Sequence, residues 1–288
     1  MSEQTATTTH EFETTEPVRL RVEAGSGEIR IQASDTDRTT VDIQPATADT
    51  EAAYELIART LVEQRGDQVV VEVPRRGVGF LRRSPALAIA VGLPEGSSID
   101  ATADSADLRT TGPLGTVRTR SGSGDVLLDD VVDANVQSGS GETSIDRSAG
   151  SIRVQAASGR VIARTVGDGC WVDTASGDVR VESATGSVQV NTASGDVTVE
   201  DADGDVTIDS ASGDNHVGRV RRGRVKITSA SGDVHIGVVD GTPVWLDVTS
   251  LTGTVQSALD GGDPPEEGED SVALRVNTVS GDITLTRS

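Results

Sequence analysis

Ser-Gly dipeptides recur in this chain on a fixed beat. They place glycines at Gly141, Gly159, Gly177, Gly195, Gly213 and Gly232, spaced by 18 residues four times and then by 19. A second glycine series falls between them at Gly150, Gly186, Gly204, Gly223 and Gly241, so the unit is about nine residues. Each unit reads approximately x-S-G-D-V-x-V-x-x, as in residues 174–183 (TASGDVRVES) and 192–201 (TASGDVTVED). Self-similarity at so short a period indicates stacked repeats rather than a conventional globular core.

Within a unit the aliphatic positions lie two apart, which is strand periodicity: Val179 and Val181 face inward and Arg180 outward. Glycine supplies the positive φ of a tight turn, and a neighbouring Asp or Ser can bond the local backbone. Antiparallel hairpins would alternate turn chemistry without generating such similar positions every 18 residues. A coil of two strands and two turns generates them directly, with each strand parallel to its copy about 4.8 Å away in the next coil. The expected fold is all-β, a parallel β-solenoid or β-helix with about 18 residues and two strands per coil. One inner column is then Cys170, Val188, Val206 and Val225, beside Val172, Val190, Ile208 and Ile227; another pairs Val161, Val179, Val197 with Ala163, Val181, Val199. Small aliphatics suit a thin interior, and the chain has only two Trp, two Phe and one Tyr.

Three regions follow. Residues 1–16 are expected to be a disordered tail. Residues 17–110 form an irregular N-terminal cap continuous with the solenoid, with strands at 19–33, 39–45, 68–74 and 86–94. A helix or polar excursion is expected over 47–67, its apolar side being Leu56, Ile57 and Leu61. Residues 111–288 hold the repeats, interrupted by an acidic loop insertion at 257–271 (SALDGGDPPEEGEDS). Asn215 stands where an inward aliphatic is expected, and the turn at Gly223 comes one residue late, which predicts a bulge.

The net charge is −21. Such a surface repels nucleic acid and anionic lipid and attracts cations. The single Cys170 has no partner for an internal disulfide. The start is polar and acidic, without a basic n-region or apolar core, and the longest apolar run (residues 85–94) is too short for a bilayer. No transmembrane segment and a cytoplasmic location are the expectations.

The S-G-D-V repeats, the segment VEQRGDQVVVEVP (62–74) and the segment LPEGSSID (93–100), in that order, resemble the bacterial putative-adhesin domain of unknown function, a β-strand-repeat family. The resemblance runs over about residues 17–288. It implies a β-solenoid or β-helix fold and no assigned catalytic residues.

Four features carry candidate chemistry. Asp178, Asp196, Asp214 and Asp233 follow the turn glycine on consecutive coils. They either cap the turns or line a cation-binding edge, for which Ca²⁺ is the natural ion; the G-D spacing departs from the nonapeptide calcium repeat. His216 and His235 are 19 apart, each three residues past its glycine, and are expected to be neighbours that could hold a transition metal if further ligands joined them. Trp171, Gln189, Thr207, Lys226 and Trp245 fall on one outward column, where tryptophan either contacts a sugar or protein partner or packs locally, Trp171 against Arg153. The segment PRRGVGFLRRSP (74–85) interleaves Arg75, Arg76, Arg82 and Arg83 with Phe80 and Leu81, a basic and apolar patch suited to an acidic partner or membrane surface, or to packing at the solenoid end.

No nucleotide loop, nucleophile motif or nucleic-acid module is present in the sequence. The expected function is therefore a non-catalytic structural or interaction scaffold for a protein or other macromolecular partner, with no cofactor. The alternatives are a carbohydrate-active β-helix enzyme, which needs two carboxylates from non-equivalent columns in one groove, a cation-binding solenoid, and self-association through the solenoid ends. For that last reading, the strand from Asp282 to Arg287 is expected to be the uncapped end.

Overall fold

Short valine-rich segments separated by glycine turns stack as parallel rungs. The computed structural model describes residues 8–46, 50–74, 85–259 and 271–288. The chain forms two compact units, Met1–Ser144 and Ile145–Ser288. The boundary between cap and repeats expected near residue 110 falls inside the first unit.

The first unit contains β1 (Thr8–Glu13), β2 (Arg19–Ser34), β3 (Arg38–Pro45), α1 (Glu51–Arg59), β4 (Leu61–Arg65), β5 (Gln68–Glu72), β6 (Leu87–Pro94), β7 (Ser98–Thr111), β8 (Pro113–Ser121) and β9 (Val126–Ser138), and β10 (Thr143–Ser148) spans its end. The long β2 makes a whole rung. It pairs parallel with β7 on one side and with β5 and β6 on the other. Its flanks are finished by antiparallel strands: β3 on β6, β1 on β3 and β4 on β5. Residues 8–13, expected in a disordered tail, are thus an ordered edge strand. Thr14 is buried, with its hydroxyl 2.9 Å from that of Thr39. The expected helix is shorter than 47–67. Thr50 caps it, the Thr50 hydroxyl accepting from the Ala53 N–H at 3.2 Å. Ala53, Leu56 and Ile57 are its buried side, whereas Leu61 begins β4 and is exposed.

The second unit comprises β11 (Ile152–Ser158), β12 (Val161–Val166), β13 (Gly169–Ser176), β14 (Val179–Ala184), β15 (Ser187–Ser194), β16 (Val197–Ala202), β17 (Val206–Ser212), β18 (Asn215–Val220), β19 (Gly223–Ser231), β20 (Val234–Val238), β21 (Val244–Ser250), β22 (Val255–Ser257), β23 (Val272–Ser280) and β24 (Ile283–Arg287). Odd and even strands form the two faces of successive rungs. Cys170 pairs with Val188, Val188 with Val206 and Val206 with Val225. The same rule aligns Val179, Val197 and Asn215 on the other face. These aliphatics are essentially free of solvent contact, so the fold is the β-solenoid that the period predicts.

The corner chemistry explains the recurring T-x-S-G. Thr192, Ser229 and Thr278 each donate a hydroxyl hydrogen to the carbonyl two residues on, at 3.1, 3.2 and 3.3 Å. The residue after that carbonyl is the turn glycine. Gly195 has φ +125°, and a Cβ there would collide with the Gly177 carbonyl of the preceding rung. The expected irregularity is present: the register of β18 against β20 shifts between Val217 and Val220, and Asn215 is buried with its Oδ1 unpaired.

The end of the second unit departs from sequence order. β23 lies between β19 and β21, and β24 lies between β20 and β22. The chain runs out to β21–β22 and returns to insert its last two strands one rung inward. The strand Ile283–Arg287, expected as the uncapped end, is therefore interior, with Ile283 and Leu285 almost fully buried. Nothing local distinguishes these rungs: both present aliphatics two apart, and burying the more apolar one inside removes more surface from water. No helix among the described residues is long and apolar enough to cross a membrane.

Candidate functional site

The aspartate column is a hydrogen-bonded ladder. Asp178 Oδ1 accepts from the Asp196 N–H at 3.2 Å, Asp196 Oδ1 from the Asp214 N–H at 2.9 Å, and Asp214 Oδ1 from the Asp233 N–H at 2.8 Å. It continues through the strand exchange: Asp233 accepts from the Asp282 N–H and Asp282 from the Thr254 N–H, both at 2.8 Å. Each carboxylate caps the turn of the next rung. Among the described residues, no three His, Cys, Asp or Glu side chains gather as a metal-holding set.

His216 and His235 are brought together. They are directly paired in register, and their rings stack at 4.9 Å between centroids and 5° between planes. Burial and the neighbouring His216 lower the pKa of His235 below the ordinary 6.5, burial being the larger cause.

The two tryptophans are not brought together. Trp171 aligns with Gln189, Thr207, Lys226 and then Arg275, and the residue beyond Arg275 is Asp247. Trp245 aligns with Ala273, two positions away, because inserting β23 resets the register of β21. Each ring has a cation over it: the Arg153 guanidinium lies 5.5 Å from the Trp171 centroid and that of Arg275 lies 5.9 Å from Trp245. Both are therefore packed locally. Arg75, Arg76, Phe80, Leu81, Arg82 and Arg83 lie outside the described residues, as does most of the 257–271 insertion.

A groove of about 330 Å³ on the first unit contains two carboxylates, Glu28 and Asp42. Both are engaged. Arg30 donates to Glu28 through two nitrogens at 2.6 Å each, and the Thr9 hydroxyl donates to Asp42 at 2.5 Å. That arrangement orders both carboxylates at the groove wall through Arg30 and Thr9.

The feature missed in the sequence is the outermost described rung of the second unit. Among the described residues β21 and β22 are paired on one side only, to β23 and β24. Leu274, Val276 and Ile283 are fully buried one rung inward, while their partners Leu246 and Val248 are half-buried and Val255 is exposed. Leu251, at the corner, is 74% exposed. The available signal was the gap from Asp233 to Asp282, where the 18-residue beat lapses.

None of the curated proteins matches the chain. Solved structures that resemble it include a protein from Parabacteroides distasonis described as a putative lipid-binding protein, 14% identical over 96% of each chain, with a TM-score of 0.43. A putative adhesin from Parabacteroides merdae is 10% identical over 97% of this chain and 95% of that one, with a TM-score of 0.41. A putative adhesin from Bacteroides fragilis is 12% identical over 100% and 98%, with a TM-score of 0.38. The family Toastrack DUF4097 matches residues 18–286, all but the extremities, and this chain belongs to it.

Proposed function

We propose that this protein is a non-catalytic interaction scaffold that takes an extended segment of a partner protein as an added strand along β21–β22. The observation that carries this reading is the one-sided pairing of that rung among the described residues, with Leu246 and Val248 half-buried and Val255 exposed where the equivalent residues one rung inward are buried. A strand edge offers N–H and C=O groups for main-chain pairing, and alternate apolar pockets select the incoming side chains.

Charge decides the occupant. Residues 260–270, joined to this rung at Leu259, contain six acidic residues and no basic one, in a chain of net charge −21. A second copy meeting edge to edge would bring two such segments together. A strand alternating aliphatic with basic residues gains attraction instead. The stacked repeats supply a rigid support, and the carboxylates of the aspartate column are used to cap successive turns, which favours binding over glycoside hydrolysis.

The test uses a synthetic peptide copying residues 272–287 with Asn277→Arg and Asp282→Arg, against the full chain by calorimetry. Binding should weaken at least about tenfold in Val248→Lys, which puts a charge in the apolar row. Equal binding of a scrambled peptide, or unchanged binding by Val248→Lys, overturns the reading. So does sedimentation as a dimer that Val248→Lys converts to monomer, which would make the occupant a second copy.

A further inference from the structure

We infer that His216 and His235 form a two-imidazole chelate for a divalent transition-metal ion, with water completing the coordination. The outward column on this face reads Ile162, Arg180, Thr198, His216, His235, Thr284 and Gln256. Two of the three histidines in the chain thus occupy consecutive rungs of one column.

A second departure from the repeat accompanies them. Two residues on, where the neighbouring rungs carry Glu200 and Thr286, these same rungs carry Gly218 and Gly237. Their backbones touch: a Cβ on Gly237 would strike the Gly218 carbonyl. His216 Nε2 lies 3.4 Å from the place a Gly218 Cβ would take. Gly218 therefore leaves the space beside the His216 ring nitrogen free of its own side chain, and a larger residue there would fill that space, while the close backbone approach at Gly237 requires glycine on the next rung.

The chemistry of the pair is specific. Neither imidazole makes a hydrogen bond among the described residues, so ring nitrogens are open to a ligand, and both side chains are half-exposed. An imidazole–metal bond is about 2.0–2.1 Å. Two such bonds at a right angle set the nitrogens about 3 Å apart; the rings stack parallel with centroids 4.9 Å apart, so each ring turns by roughly 45° for its in-plane lone pair to reach a shared ion. Imidazole selects Cu²⁺, Ni²⁺ or Zn²⁺ over Ca²⁺ and Mg²⁺, which take oxygen. Among the described residues no third His, Cys, Asp or Glu side chain gathers with the pair, which leaves the two imidazoles as the protein's share of the ligands.

The experiment titrates the full chain with Cu²⁺, Ni²⁺ and Zn²⁺ separately at pH 7.5, by calorimetry, with electron paramagnetic resonance of the Cu²⁺ form. His216→Thr and His235→Thr reproduce the residue found on the flanking rungs at 198 and 284, so the fold has a template for both. The expected result is one site with Cu²⁺ tightest, two nitrogens on Cu²⁺, and affinity lowered at least about tenfold by either substitution. His10→Thr, on β1, should leave binding unchanged. Unchanged Cu²⁺ affinity in either single variant, or a Cu²⁺ spectrum without two coordinated nitrogens, overturns the site.

Discussion

Asp196 Oδ1 accepts the backbone N–H of Asp214 at 2.9 Å, from one rung to the next. The contact is a link in a chain of identical bonds through Asp178, Asp214, Asp233 and Asp282. A column of like charges would repel if its members only faced one another. Here each carboxylate neutralises a backbone donor of the following turn, so repulsion is offset by a charge-assisted hydrogen bond.

Removing one acceptor separates these two effects. Asp196→Ala leaves the Asp214 N–H without its partner and should cost about 1 kcal/mol, with faster hydrogen exchange at that amide. Asp196→Asn keeps a carbonyl oxygen and removes a charge, so its stability in urea unfolding should stay within about 0.5 kcal/mol of the parent. Equal losses in both would show that charge, not the bond, matters.

The strand exchange makes Leu274 and Leu246 neighbours of unequal standing. They are paired in register, but Leu274 is fully buried and Leu246 half-buried. Leu274→Ala should cost about 2–5 kcal/mol, and Leu246→Ala less than half as much. Chemical denaturation of the two variants checks this. The reverse ranking would place the last two strands at the edge after all.

Cys170 lies in the inner column between Ile152 and Val188, and burial pushes its pKa up to about 12. The thiol form therefore persists at neutral pH, and a thiol reagent should not modify the folded chain. Full, rapid modification in denaturant but not in buffer is the expected outcome by absorbance.

His235 should titrate below 6.5 in the proton resonances of its ring, since burial and then His216 disfavour its charged form. His216→Thr removes only the smaller cause, so the midpoint should rise part of the way. The group is depressed in the folded state. Its contribution to stability is therefore complete above pH 6.5 and is lost as pH falls through the lower folded value.

How much was legible in the sequence depends on how local the cause was. The turn glycines, the two-apart aliphatics and the T-x-S-G corner act within nine residues, so the period, the parallel stacking and the inner column from Cys170 to Val225 could be read directly. His216 and His235 could be placed side by side for the same reason: the intervening chain makes one ordinary coil with one extra residue. The Asp ladder was predicted as a column, whereas its use of the next rung's N–H, rather than its own turn, required coordinates.

What the sequence by itself determined is the rung: its length, its dry aliphatic interior and its glycine corners. Tertiary structure alone decided which rung lies against which. Trp245 missed its expected column, and Asp282 became the neighbour of Asp233 across 49 residues, because rungs of near-identical backbone can pair with any other. Pairing energy distinguishes them weakly. The choice falls to which aliphatic row is buried and which is left at the edge, a property of the whole stack and not of any nine residues within it.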